Sequence, residues 1–210
     1  MKTGNRALYS RSIDHSQHRL DISVQFEEQG IRIRIEAKMN EIGVLFRLCA
    51  VLFRFGLDVR QARIFSPEKS GIQDDFLVHL ASGEELDETI MKALVDDLER
   101  LLFGGVSVLE YLNENRTPAP RSSGNHPEGS ITLKMTATGP EIQVRGRDKP
   151  GLLLALAQAF YLMDINVIEA NITTDSKGKI ANEFRIDAAD ERFRSKEFQR
   201  RLVEDLKFLL

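Results

Sequence analysis

Ile22, Val24 and Phe26 alternate with Asp21, Ser23 and Gln25, and Ile31, Ile33 and Ile35 alternate with Arg32, Arg34 and Glu36. A period of two sends successive side chains to opposite faces, so these runs predict two half-buried strands. The short segment 27–30, ending in Gly30, predicts the hairpin between them. Leu45, Leu48, Leu52 and Phe55 then recur at the spacing of one helical face. Two more strands are expected over 59–65 and 72–80, and a second helix carries Ile90, Leu94, Leu98 and Leu101.

The same order returns further along. Shifting the chain by 108 positions aligns 43–102 with 151–210 without a gap: Val59, Ala62 and Ile64 meet Val167, Ala170 and Ile172, and Ile72 and Phe76 meet Ile180 and Phe184. Leu94, Val95, Asp97, Leu98, Leu101 and Leu102 recur as Leu202, Val203, Asp205, Leu206, Leu209 and Leu210. Upstream the offset becomes 109, matching Ile22, Val24 and Phe26 with Ile131, Leu133 and Met135, so one residue separates the copies near Met39 and Asn40. Such self-similarity marks a duplicated unit. The predicted division is a loose leader over 1–18, a first domain over 19–112, a Pro-, Gly- and Ser-containing linker over 113–129 and a second domain over 130–210.

Each unit reads β-β-α-β-β-α. Strands with one apolar face place both helices on the same side, giving an α+β fold of two ferredoxin-like sandwiches, each an antiparallel sheet with an extra leading strand. The usual fourth strand after the second helix has no residues left to form it in the second copy, so the leading strand is expected at that edge. In the first copy, 106–112 is open to two readings, a fifth strand or an arm reaching the second copy.

Composition narrows the classes of function. Charged residues are 29% of the chain and mixed in sign, with a formal net charge of −3, which argues against a nucleic-acid partner. A lone cysteine, Cys49, excludes an intrachain disulfide and a cysteine-based zinc site. The most apolar stretch, 151–163, is 13 residues long and too short to span a bilayer. A cytoplasmic protein without membrane contact is expected. His15 and His18 stand three apart in the polar leader, with no third metal ligand in sight.

At the turn into the first helix of the second copy the chain reads Arg147-Asp148-Lys149-Pro150-Gly151-Leu152-Leu153. This resembles the Asp-x-Pro-Gly-Leu-Leu turn of ACT domains. With the leading strands and the Asn171-Ile172-Thr173-Thr174 and Asn182-Glu183-Phe184 segments, it looks most like the paired C-terminal ACT domains of bacterial PII uridylyltransferases, which sense glutamine. The resemblance covers most of the chain and implies a regulatory protein that binds an amino acid, glutamine among them, at the helix mouth of the second copy or at a domain interface. It also implies a homo-oligomer or a regulated partner protein. The first copy departs from the motif, reading Asn40-Glu41-Ile42-Gly43 without the proline.

Elementary chemistry gives that turn two readings. The free amides of Gly151 and Leu152 at a helix start can accept a carboxylate, while Asp148 or Asn166 holds an α-amino group. Alternatively, Asp148 caps its own helix and Gly151 only permits tight packing. The ligand-binding candidates are Asp148, Lys149, Gly151, Leu152, Asn166 and Val167, with Asn40 and Gly43 in the first copy. Asp74 and Asn182 share the inward phase of their strands, where they either hold a loop backbone or border a ligand. No nucleophile elbow, phosphate loop, dinucleotide fingerprint or zincin helix is present, nor the nucleotidyltransferase or phosphohydrolase motifs of the uridylyltransferase. No catalytic residue, metal ligand or cofactor is therefore assigned. A ligand-independent dimerisation module is the alternative.

Overall fold

A computed structural model of the chain describes residues 7–15, 18–39, 41–66, 71–80, 87–117 and 129–210. The strands are β1 (Ala7–His15), β2 (His18–Glu27), β3 (Gly30–Ala37), β4 (Leu57–Phe65), β5 (Ile72–Leu80), β6 (Ser130–Thr136), β7 (Gly139–Arg147), β8 (Val167–Thr173) and β9 (Lys179–Ile186). The helices are α1 (Val44–Arg54), α2 (Glu88–Phe103), α3 (Val108–Glu114), α4 (Leu152–Leu162) and α5 (Lys196–Lys207).

The alternation read in the sequence becomes cross-strand pairing. In β2 and β3 Ile22 lies opposite Ile35, Val24 opposite Ile33 and Phe26 opposite Ile31. Ile33 in turn faces Phe76 of β5, which faces Ala62 of β4. All but Phe26 are buried. The opposite phase is polar: Arg32 reaches Glu27 at 2.8 Å and Asp75 at 2.6 Å on the solvent face. α2 and α5 start at counterpart caps, where Asp87 accepts from the Ile90 amide at 2.7 Å and Ser195 from the Phe198 amide at 3.4 Å.

Each repeat keeps one strand order, β2-β3-β5-β4 and β6-β7-β9-β8. The leading strands β2 and β6 thus occupy the edge positions that a final strand would have filled. Two separate sandwiches do not form, however. β4 and β8, the remaining edge of each repeat, pair antiparallel and join everything into one nine-stranded antiparallel sheet, β1-β2-β3-β5-β4-β8-β9-β7-β6. An open strand edge carries unpaired N–H and C=O groups, and this union satisfies them. Ile64 faces Ala170 and Ala62 faces Ile172 across it, all four buried.

Two further expectations are corrected. The leader over 1–18 is not loose throughout: Ala7–His15 pairs with β2. Tyr9 and Ile13 pack half-buried against the core, and Arg11, on the same face, pairs with Asp96 and Glu99 of α2. The stretch 106–112 is neither a strand nor an arm; it leads into α3. Ser107 accepts from the Glu110 amide at 3.2 Å, while Val108 and Tyr111, three apart, are buried on one face. Tyr111 donates to Asp97 at 2.7 Å, and Asp97 also meets Arg54 of α1 at 2.9 Å. Of the expected linker over 113–129, residues 118–128 lie outside the described residues. Among the described residues, no helix is long and apolar enough to cross a membrane.

Candidate ligand site at the seam of the repeats

Both first helices start at a glycine in the left-handed region, Gly43 at φ 95° and Gly151 at φ 81°, and neither start has a side-chain cap. Residues with a Cβ resist this conformation, which explains glycine at both positions. Asp148 is therefore not the cap of α4. It accepts a hydrogen bond from the Thr174 hydroxyl at 3.3 Å, and its own amide donates to Gly178 O at 2.8 Å. Of the two amides expected to be free, that of Leu152 donates to Lys149 O at 3.1 Å. The amides of Gly151, Leu153 and Leu154 have no backbone acceptor among the described residues.

Because β4 pairs with β8, the mouth of α4 faces the first repeat. Residues 148–154 meet 56–59 and the α1 residues Cys49, Leu52 and Phe53 around a cleft of about 180 Å³. Its walls are mostly apolar, and its charged side chains are Asp58, Asp148 and Lys149. Asp58 sits 3.1 Å from Arg60, and Arg60 lies 3.7 Å from Asp148 across the seam. Burial, with the charge of Asp58, holds the Asp148 carboxyl above the usual carboxylate range, while Thr174 and Arg60 act in the opposite direction. Burial also pulls the Lys149 ammonium below its ordinary value, and Lys149 Nζ donates to Leu210 O at 3.4 Å. Cys49 is buried, and the same desolvation pushes its thiol up from its ordinary value.

The counterpart mouth, that of α1, faces the second repeat in the same way. Gly43, Val44 and Phe46 meet Ile165, Asn166 and Val167, with Phe160 and Tyr161 of α4. This cavity is about 20 Å³. The ring of Tyr161 stacks on Phe46 at 5.5 Å and crowds Gly43, where a Cβ would come within 2.7 Å of it.

The candidate residues therefore fall into two groups. Asp148, Lys149, Gly151 and Leu152 share the larger cleft. Asn166 and Val167 line the smaller one beside Gly43, on the far side of the seam. Asn40 lies outside the described residues. The side chain opposite Asp148 is Asp58, the counterpart of Asn166 at the 108-residue offset. Asp58, Val59 and Arg60 escape sequence reasoning because nothing local reveals which repeat's loop meets which helix; only the β4–β8 pairing decides it. Asp74 and Asn182 do hold backbone, accepting from the Phe65 and Thr173 amides, each at 3.2 Å. His79 lies on the exposed phase of β5, as its position implies. Among the described residues no group of His, Cys, Asp and Glu side chains is placed to hold a metal.

No family model matches the chain. It is 32% identical over 138 residues to the bifunctional uridylyltransferase/uridylyl-removing enzyme of Azospirillum brasilense, covering 63% of this chain and 15% of the relative. The enzyme of the same name from Neisseria meningitidis serogroup B is 26% identical over 172 residues, with 75% and 20% covered. That of Streptomyces coelicolor is 29% identical over 157 residues, with 70% and 18% covered. A solved aspartate kinase from Synechocystis aligns with 84% of this chain and 27% of its own at a TM-score of 0.40 and 12% identity, a likeness too slight to carry an inference. Across these relatives, the chain is homologous over 63–75% of its length to the bifunctional uridylyltransferase/uridylyl-removing enzymes and spans 15–20% of theirs.

Proposed function

We propose that the chain is a non-catalytic regulatory module of two ACT-type units, over 19–112 and 130–210, that binds an α-amino acid, glutamine by the resemblance, in the cleft between 148–154 and 56–59. The observation that carries this reading is the convergence, across the seam, of an uncapped helix start with two carboxylates and an apolar wall. The unpaired amides of Gly151, Leu153 and Leu154, at the positive end of α4, suit a ligand carboxylate. Asp148 and Asp58 suit its ammonium group, and Leu52, Phe53 and Leu57 its side chain. Because the cleft takes walls from both repeats, a ligand there favours one relative placement of the two and thereby shifts association with another protein. The relatives are enzymes by name, and uridylyl transfer is not proposed for this chain. Calorimetric titration with the twenty amino acids is the test: a saturable heat from one of them, lost in Gly151→Val, supports the reading, and a flat response to all contradicts it.

One observation favours a second reading, a ligand-independent interaction module. Leu109, Tyr161 and Leu162 border a groove of about 470 Å³ with mixed apolar and polar walls, and Leu162 is 71% exposed. Sedimentation with and without amino acids separates the two, since this reading requires a dimer indifferent to metabolites.

A further inference from the structure

We propose that β6 is the surface through which two copies of the chain join, strand against strand, about a two-fold axis at Leu133. β1 and β6 are the two ends of the nine-stranded sheet, and among the described residues neither outer edge has a partner strand. The repeats differ at this point. In the first repeat the leading strand β2 is covered by β1, which pairs antiparallel with it from Ile13 opposite Leu20 to Tyr9 opposite Val24. In the second repeat β6 stands at the position of β2, and among the described residues no counterpart of β1 covers it. The side chains register the difference: Val24 is 1% exposed, whereas its counterpart Leu133 is only half-buried, and Met135 on the same face is 50% exposed. A bare edge presents a row of unpaired N–H and C=O groups, which an added strand satisfies.

The residues of the two edges select β6, and a second copy as its partner. β1 carries the devices that protect an edge: a register shift between Ala7 and Tyr9, and a charge on its inner face, Arg11, bound to Asp96 and Glu99 of α2. Turned on itself about its midpoint, β1 would set Arg11 against Arg11. β6 runs seven residues without a register shift, and its inner phase, Ile131, Leu133 and Met135, is wholly apolar. It holds no proline and a single charge, Lys134. Paired antiparallel with its own copy about Leu133, it sets Leu133 opposite itself, Ile131 opposite Met135, Thr132 opposite Lys134 and Ser130 opposite Thr136. Apolar side chains then meet apolar ones on the core side, polar meet polar on the other, and no charge directly faces its like. β4 and β8, equivalent strands of the two repeats, already pair in this antiparallel way within one chain. A contact of a surface with its own copy closes at two subunits and leaves no further β6 edge open. β7 and β9 separate β6 from the seam, so this interface rests on neither the larger cleft nor its ligand, and its failure leaves that reading intact.

Sedimentation of the full chain, with amide hydrogen exchange at low and high protein concentration, tests the proposal. The chain is expected to dimerise reversibly, and the amides of β6 to exchange more slowly as the dimer fills, while those of β1 stay unchanged. Thr132 is exposed on the outer face, so substitutions there leave the fold of the single chain intact. Thr132→Lys sets two lysines directly opposite each other, twice in each dimer; Thr132→Glu sets a glutamate opposite Lys134, also twice. With charge pairs of ordinary cross-strand strength, the dissociation constants of the two variants should differ by about fourfold or more, Thr132→Lys giving the weaker dimer. The gap should narrow in high salt. A chain that stays monomeric at every concentration overturns the proposal. So does a dimer whose dissociation constant is the same in both variants, or one that slows exchange in β1, or around Leu109 and Leu162, instead of in β6.

Discussion

Arg63 lies opposite Asn171, its own counterpart in the second repeat. A strand pair in which a residue meets its own equivalent has a two-fold relation through that pair, and the neighbours obey it: Ile64 faces Ala170 while Ala62 faces Ile172. The register shifts follow the same rule, falling between Val59 and Gln61 in one repeat and between Val167 and Glu169 in the other. This relation turns each helix mouth toward the other repeat, so that both candidate sites are built from two copies.

The seam itself should be symmetric in energy. Ile64 and Ile172 are counterparts, 2% and 3% exposed. Replacing either with alanine is expected to cost about 2–4 kcal/mol. Urea denaturation of the two variants should give losses of similar size.

The Gly43 turn should carry a second cost beside its backbone conformation. A Cβ at Gly43 or at Gly151 must adopt the left-handed region, at roughly 1–2 kcal/mol. At Gly43 it also strikes the Tyr161 ring. Gly43→Ala is therefore expected to lose more than that penalty, and Tyr161→Ala in the same chain to recover the excess, read from thermal denaturation of the single and double variants.

Asp74 gives the fold a pH dependence of defined sign. Burial pushes its carboxyl up to about 7, against the Phe65 amide bond, which pulls it down. The folded state then holds a proton that the unfolded chain has released, so stability falls as pH rises from about 4 and levels off above about 7. Asp74→Asn should remove this decline and be more stable than the parent at pH 8. Denaturation midpoints of both chains across pH 4–8 check it; a gap between Asp74→Asn and the parent that does not grow with pH over this range contradicts the burial of a neutral acid.

Much of this fold is legible in the residues. The two-residue alternation of Ile31, Ile33 and Ile35 and the helical spacing of Leu94, Leu98 and Leu101 gave local faces directly, and the 108-residue offset fixed the repeat. Three features are not legible. β1 carries only Tyr9 and Ile13 on its inner face, too few apolar residues to signal a strand. α3 announces itself by the Ser107 and Glu110 pair, which is easily passed over beside an apolar stretch. The seam is a choice of which edges meet, and no local pattern encodes it. That choice is also why Asp148 was matched in sequence with Asn166, when it faces Asp58 in space.

The central claim is that the larger cleft binds an amino acid with residues from both repeats. The most direct measurement is calorimetric titration, with the amino acid that gives the strongest heat, of the parent chain, Asp58→Asn and Asn166→Ala. Losing a charged hydrogen-bond partner costs about 1.5–3 kcal/mol, so Asp58→Asn is predicted to weaken binding roughly ten- to a hundredfold, while Asn166→Ala leaves it unchanged. Binding that survives Asp58→Asn but fails in Asn166→Ala would place the ligand at the mouth of α1 instead of the larger cleft and contradict the account.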